Sequence, residues 1–115
     1  MDYQWSIFWA DLNPVKGSEQ AGKRPVLVIS EEVVNQSIPV VTVACITSLK
    51  PERKIYPIEI MLTPEDSHLP QPSILMAHQI RSISKDRLMG KCGYIDNKAC
   101  KEKIKNVIRL YLDLI

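Results

Sequence analysis

The sequence predicts a small β-dominated α+β domain, most simply a partly closed barrel of about five to seven short strands with one terminal helix. Three observations point there. Short runs rich in β-branched and aromatic residues recur along the chain, and Pro, Gly, Asn and Asp clusters punctuate them. A helical spacing of apolar residues is sustained only after Asp96, where Cys100, Ile104, Val107, Ile108, Tyr111, Leu112 and Ile115 form one stripe. At 115 residues the chain makes one domain, spanning 1–115, and buries enough surface for one core without disulfide or metal staples.

The first strand is expected over Trp5 to Leu12, closed by the Asn13-Pro14 turn. Val15 to Lys23 holds Gly17 and Gly22 with few apolar side chains, which predicts a flexible surface loop. Pro25 to Ile29 is a continuous apolar run, the pattern of a strand buried on both faces, with Pro25 tolerated only at its start. Ser30 is placed to cap a helical turn from Glu31 to Gln36. Val40 to Thr47 and Tyr56 to Leu62 read as strands, and Thr63 to Ser67 as a turn. Ser73 to Ala77 and Gln79 to Ile83 read as one long strand or two abutting pieces, with Ile80 and Ile83 out of strict alternation, which a bulge near His78 would explain. Ser84 to Leu88 reads as a capped turn, Gly90 to Ile95 as a short strand, and Asp96 as the cap of the final helix.

Composition excludes more than it assigns. Cys45, Cys92 and Cys100 lack C-x-x-C spacing and paired histidines, so neither a disulfide framework nor a zinc site is expected. No cofactor and no metal are expected, and the cytoplasm is the expected compartment. The first twelve residues lack a basic leader, and no apolar run reaches the length of a membrane span. A net charge of +2 and a pI near 8.4 permit nucleic acid as a partner without requiring it. The loop cluster Lys50, Arg53 and Lys54 suits phosphate tracking and a plain solvated loop equally well.

The residues with chemical capacity are Ser18, Glu19, Gln20 and Arg24, Thr47 at the end of its strand, and His78, Gln79 and Arg81 beyond it. Arg24 stands where a loop meets a rigid strand, so its side chain can be aimed with little freedom. Here the chain resembles the MazF/PemK-like toxins. The resemblance is carried by Ile7-Phe8-Trp9-Ala10-Asp11-Leu12-Asn13-Pro14, by Gly17-Ser18-Glu19-Gln20-x-Gly22-x-Arg24-Pro25-Val26-Leu27-Val28-Ile29, by Ile46-Thr47 and by Gln79-Ile80-Arg81-Ser82-Ile83. It implies an SH3-like barrel with a C-terminal helix, working as a homodimer on single-stranded RNA and inhibited by a cognate antitoxin protein.

The resemblance further implies a metal-independent, sequence-selective endoribonuclease in which the RNA 2′-OH attacks and leaves 2′,3′-cyclic phosphate and 5′-OH ends. Arg24 and Thr47 fall at the catalytic positions of the Gram-positive type. Ser18, Glu19 and Gln79 fall at RNA-contacting positions, and Gln20, His78 and Arg81 border them. His78 stands where that type carries a glutamate, and the arginine, aspartate and loop histidine of another branch are replaced by Met76, His78 and Ser18. The alternative expectation is a catalytically inactive barrel module that binds nucleic acid or an antitoxin-like peptide.

Overall fold

The computed structural model describes residues 2–13, 17 and 22–114. Six antiparallel strands form one sheet in the order β4-β5-β3-β2-β1-β6, where β1 is Ser6–Asp11, β2 Lys23–Val28, β3 Val40–Ser48, β4 Glu59–Leu62, β5 Ser73–Ser84 and β6 Leu88–Tyr94. Helix α1 spans Glu32–Ser37, α2 spans Pro64–Ser67 and α3 spans Lys98–Leu112, with a 3-10 turn at Lys85–Arg87. Among the described residues no ladder joins β4 to β6, so the sheet stays open. The expected mainly β architecture with a terminal helix is the one found.

Both faces of the sheet are apolar, for the reason the β2 pattern suggests. Val26 and Val28 join Phe8, Val43, Cys45 and Met76 on an inner face, while Leu27 points the other way with Ile7, Ala44 and Leu75. That second face is covered by α3, through fully buried Ile104 and nearly buried Cys100. The stripe on α3 is only half used. Tyr111 and Leu112 are exposed, together with Leu110 and Leu114 beside them.

Several local expectations shift once long-range partners are present. The first strand begins at Ser6, because Trp5 takes a left-handed turn with φ 65°. Ser30 does not cap α1; Glu31 stands there with no side-chain bond, and the Ser30 hydroxyl accepts from Thr42 N–H on β3 at 3.0 Å. Asn97 rather than Asp96 caps α3, its Oδ1 accepting from Cys100 N–H at 2.9 Å. β4 is shorter than Tyr56 to Leu62, and the expected turn after it is a helical one capped by the Thr63 hydroxyl. Ser84 does cap its turn, accepting from Asp86 N–H at 3.2 Å.

Candidate functional site

Arg24 is the second residue of β2 and pairs with Ala10 of β1, so its side chain leaves the sheet on the inner face that Ala10 helps to form. On β3, Thr47 pairs with Ile74 of β5, which lies on the same face. The β2/β3 ladder aligns Val28 with Val43 and ends at Val26 opposite Cys45, so Arg24 and Thr47 each lie two residues beyond its last pair, on the same face. The two candidates, 23 positions apart in sequence, therefore lie toward the same end of the inner face.

Arg81 pairs with Val43 and starts from that face as well. Cys45 lies between the two arginines: burial pushes its thiol up to about 11, against the pull of the Arg81 and Arg24 charges. The thiol is thus neutral near pH 7 and supplies no nucleophile. Arg81 Nη1 is buried and has no hydrogen-bond partner. Two guanidinium groups and a hydroxyl spread along one face suit a phosphodiester backbone, since guanidinium binds two phosphate oxygens in one plane.

The predicted bulge is real and larger than a one-residue slip. Ala44 pairs with Ile80 but its neighbour Cys45 pairs with Met76, so Ala77, His78 and Gln79 are looped out of the β3/β5 ladder. Ala77 N–H bonds instead to Ile58 O at 3.2 Å. The bulge holds His78 beside the start of β4, where Glu59 is buried. Burial opposes ionisation of Glu59, but hydrogen bonds from Arg53 and from Tyr56 N–H, with the Arg53 and His78 charges, outweigh it and hold the carboxyl below its usual range. Arg53 grips Glu59 with two bonds of 3.0 and 2.8 Å. His78 Nδ1 is buried and has no hydrogen-bond partner.

The structure thus sets Arg24, Thr47 and Arg81 on the sheet face that Cys45 shares and places His78 and Gln79 together in the bulge. Ser18, Glu19 and Gln20 lie outside the described residues, as does most of the predicted loop. Arg53, read from sequence as a phosphate-tracking candidate, is committed to Glu59. The Glu59 partnership was missed by sequence reading; its one trace is a carboxylate inside the apolar run Ile58-Glu59-Ile60. Among the described residues no group of three His, Cys, Asp or Glu side chains is placed to share a metal ion.

Residues 3–112 match the model of the PemK-like, MazF-like toxins of type II toxin–antitoxin systems. The chain belongs to this family. It is similar to endoribonuclease MazF of Staphylococcus saprophyticus, 38% identical over 108 residues that cover 94% of this chain and 88% of that one. Endoribonuclease EndoA of Bacillus subtilis is 35% identical over 109 residues, covering 95% and 92% of the two chains. In fold the toxin resembles a mycobacterial endoribonuclease solved in complex with its cognate antitoxin, with a TM-score of 0.81 at 22% identity over 100% of this chain and 98% of that one. MazF of Deinococcus radiodurans gives a TM-score of 0.78 at 22% identity, covering 96% and 94%. Among the described residues no helix of this toxin is long and apolar enough to cross a membrane.

Proposed function

We propose that this chain is the endoribonuclease toxin of a toxin–antitoxin pair and that it cuts single-stranded RNA at the Arg24–Thr47 end of the inner face. The observation that carries this reading is the inner face shared by Arg24, Thr47 and Arg81, with the Arg24 and Arg81 charges both reaching Cys45. The two relatives named endoribonuclease, at 38% and 35% identity over nearly the whole chain, support it.

RNA brings its own nucleophile. Attack of the 2′-OH on the adjacent phosphorus, with its proton passing to water, forms the cyclic phosphate and breaks the bond to the 5′-oxygen, which takes a proton from water to leave as 5′-OH, so the protein must mainly hold the phosphodiester in line and neutralise the crowded phosphorane. Arg24 supplies that charge, and Thr47 donates a hydrogen bond to a phosphoryl oxygen or orients the 2′-OH. Arg81 holds the flanking backbone. His78 and Gln79 project from the bulge toward bases that single-stranded RNA can splay out. Ser18, Glu19 and Gln20 border the same strand of RNA.

The protein acts as a homodimer in the cytoplasm, with a cognate antitoxin protein as its inhibitor. The exposed Tyr111, Leu112 and Leu114 at the end of α3 and exposed Trp9 on β1 offer apolar surface for such contacts. A monomeric mass by light scattering at micromolar concentration refutes the dimer.

The deciding experiment incubates the purified protein with mixed-sequence RNA, with and without EDTA, then maps cut positions and end chemistry. Sequence-selective cuts with 2′,3′-cyclic phosphate ends in both conditions are expected. Arg24→Ala lowers the rate by about 10²- to 10³-fold, as for loss of one preorganised charge donor. Cleavage that vanishes with EDTA refutes the metal-independent mechanism, and Arg24→Ala and Thr47→Ala proteins that cut at the wild-type rate refute the site. RNA that is bound but never cut makes the chain a binding module instead.

A further inference from the structure

β1 loses its partner one residue before its end. Its ladder with β6 finishes at the pair Ala10 and Leu88, so the carbonyls that follow on β1 have no β6 main-chain donor. Arg87, immediately before β6, fills that role with its side chain. Its Nη1 donates to Asp11 O at 3.0 Å and also to Asn13 O, contacts that reach back 76 and 74 positions along the chain. The turn that carries Arg87 is itself fixed, by the Ser84 cap and by Lys85 N–H donating to Pro39 O at 3.0 Å.

The other side of the same short segment holds the start of β2. Asp11 pairs with Lys23, Leu12 N–H donates to Gly22 O at 2.9 Å, and Gly22 N–H donates to Asn13 Oδ1 at 3.2 Å. Gly22 is in the left-handed region at φ 75°, which lets the chain turn sharply into β2 just before Arg24. Residues 11–13 are therefore clamped between Arg87 on one side and Gly22 and Lys23 on the other. Ala10 and Arg24 form the next pair inward.

We propose that Arg87 is a positioning residue for Arg24: by holding the Asp11 and Asn13 carbonyls it fixes the end of β1, and through the Gly22 and Lys23 bonds it fixes the direction in which Arg24 points. This rests on the cleavage role proposed above for Arg24. An error of about 1 Å in a charge that must meet the transition state can cost up to about a hundredfold in rate. An ordinary surface arginine would leave the rate untouched. Because Arg24 acts on the phosphorane rather than on the bound substrate, the loss belongs to kcat more than to KM.

The test compares wild type, Arg87→Ala, Arg87→Lys, Arg24→Lys and the Arg87→Ala/Arg24→Lys double variant, with kcat and KM on one RNA oligonucleotide and amide hydrogen exchange at Leu12. Arg87→Ala is expected to lower kcat about tenfold with KM within about threefold, and to speed Leu12 exchange by about tenfold. Arg87→Lys, which keeps a cationic donor, recovers part of both. In the Arg24→Lys background, Arg87→Ala changes kcat by less than about twofold, since residues acting through one group are not additive. Faster exchange with unchanged kcat, or losses that multiply in full in the double variant, overturn the proposal. If wild type cuts no RNA, the cleavage reading fails on its own, and Leu12 exchange that stays unchanged in Arg87→Ala then overturns the clamp.

Discussion

Gly93 offers a sharp test of how β6 is seated on the rest of the molecule. It pairs with Ile7 of β1, and a Cβ added there would lie 2.4 Å from Ser67 O and 3.3 Å from Ile7 Cδ1 and Leu69 Cδ2. Ordinary van der Waals contact begins near 3.4 Å, so Gly93→Ala forces the Ser67 carbonyl back by about 1 Å. The two methyl contacts can yield by small rotations, but the carbonyl cannot. Ser67 is fully buried, its N–H donates to Thr63 O at 3.1 Å, and its hydroxyl accepts from Leu69 N–H at 3.1 Å. Moving it disturbs α2 as a unit. Overpacking against a fixed backbone costs about 2–3 kcal/mol, which is about 10 °C in Tm for a chain of this size. Gly90 on the same strand is the control, because a Cβ there meets nothing within 4 Å, and Gly90→Ala should stay within about 0.5 kcal/mol of wild type. Urea unfolding followed by circular dichroism measures both. A Gly93→Ala protein as stable as Gly90→Ala would refute the reasoning.

Other consequences can be checked with the same proteins. Partial burial works against ionisation of Glu32, yet its carboxylate accepts from Gln4 N–H at 2.8 Å, from Gln36 Nε2 at 2.7 Å, from Tyr3 N–H and from Asn35 Nδ2, and its pKa falls from 4.5 to about 2. The stability this gives is full above about pH 4.5 and lost as pH falls through about 2. Glu32→Gln should therefore cost about 1–2 kcal/mol at pH 7, with the difference closing toward pH 2, as read by urea unfolding across pH; a difference independent of pH contradicts it. The buried Cys45 thiol, held neutral up to about 11, should resist an aromatic disulfide reagent in the native protein even at pH 9, whereas half-buried Cys92 reacts slowly. Mass spectrometry that finds Cys45 modified at the rate of the unfolded chain counts against this. Ile104→Ala empties the contact between α3 and the sheet and should cost about 2–5 kcal/mol by the same unfolding assay, while an unchanged midpoint would show that α3 does not anchor there.

Much of this toxin was legible before its structure was considered. The run Val26-Leu27-Val28 marked a strand covered on both sides, since only burial on two faces favours an apolar residue at every position. The broken alternation at His78 marked the bulge, because a strand's two-residue period leaves no other room for an extra residue. Arg24 and Thr47 could be named from motifs and family resemblance. That they share one face of the sheet follows only from the strand registers, which pair residues far apart in sequence.

What the sequence by itself determined is what depends on neighbours in the chain: the mainly β architecture, the amphipathic α3, the turn chemistry of Ser84 and the polar motifs. Tertiary structure decided which partner each polar group takes. Ser30 bonds the Asn35 side chain and Thr42 N–H rather than capping its helix, Arg53 turns from the loop cluster to buried Glu59, and Arg87 reaches back to Asp11. The physical reason is common to all three. A donor or acceptor bonds whatever the fold brings within about 3 Å, and for side chains that partner is set by strand order and register, which local pattern does not encode.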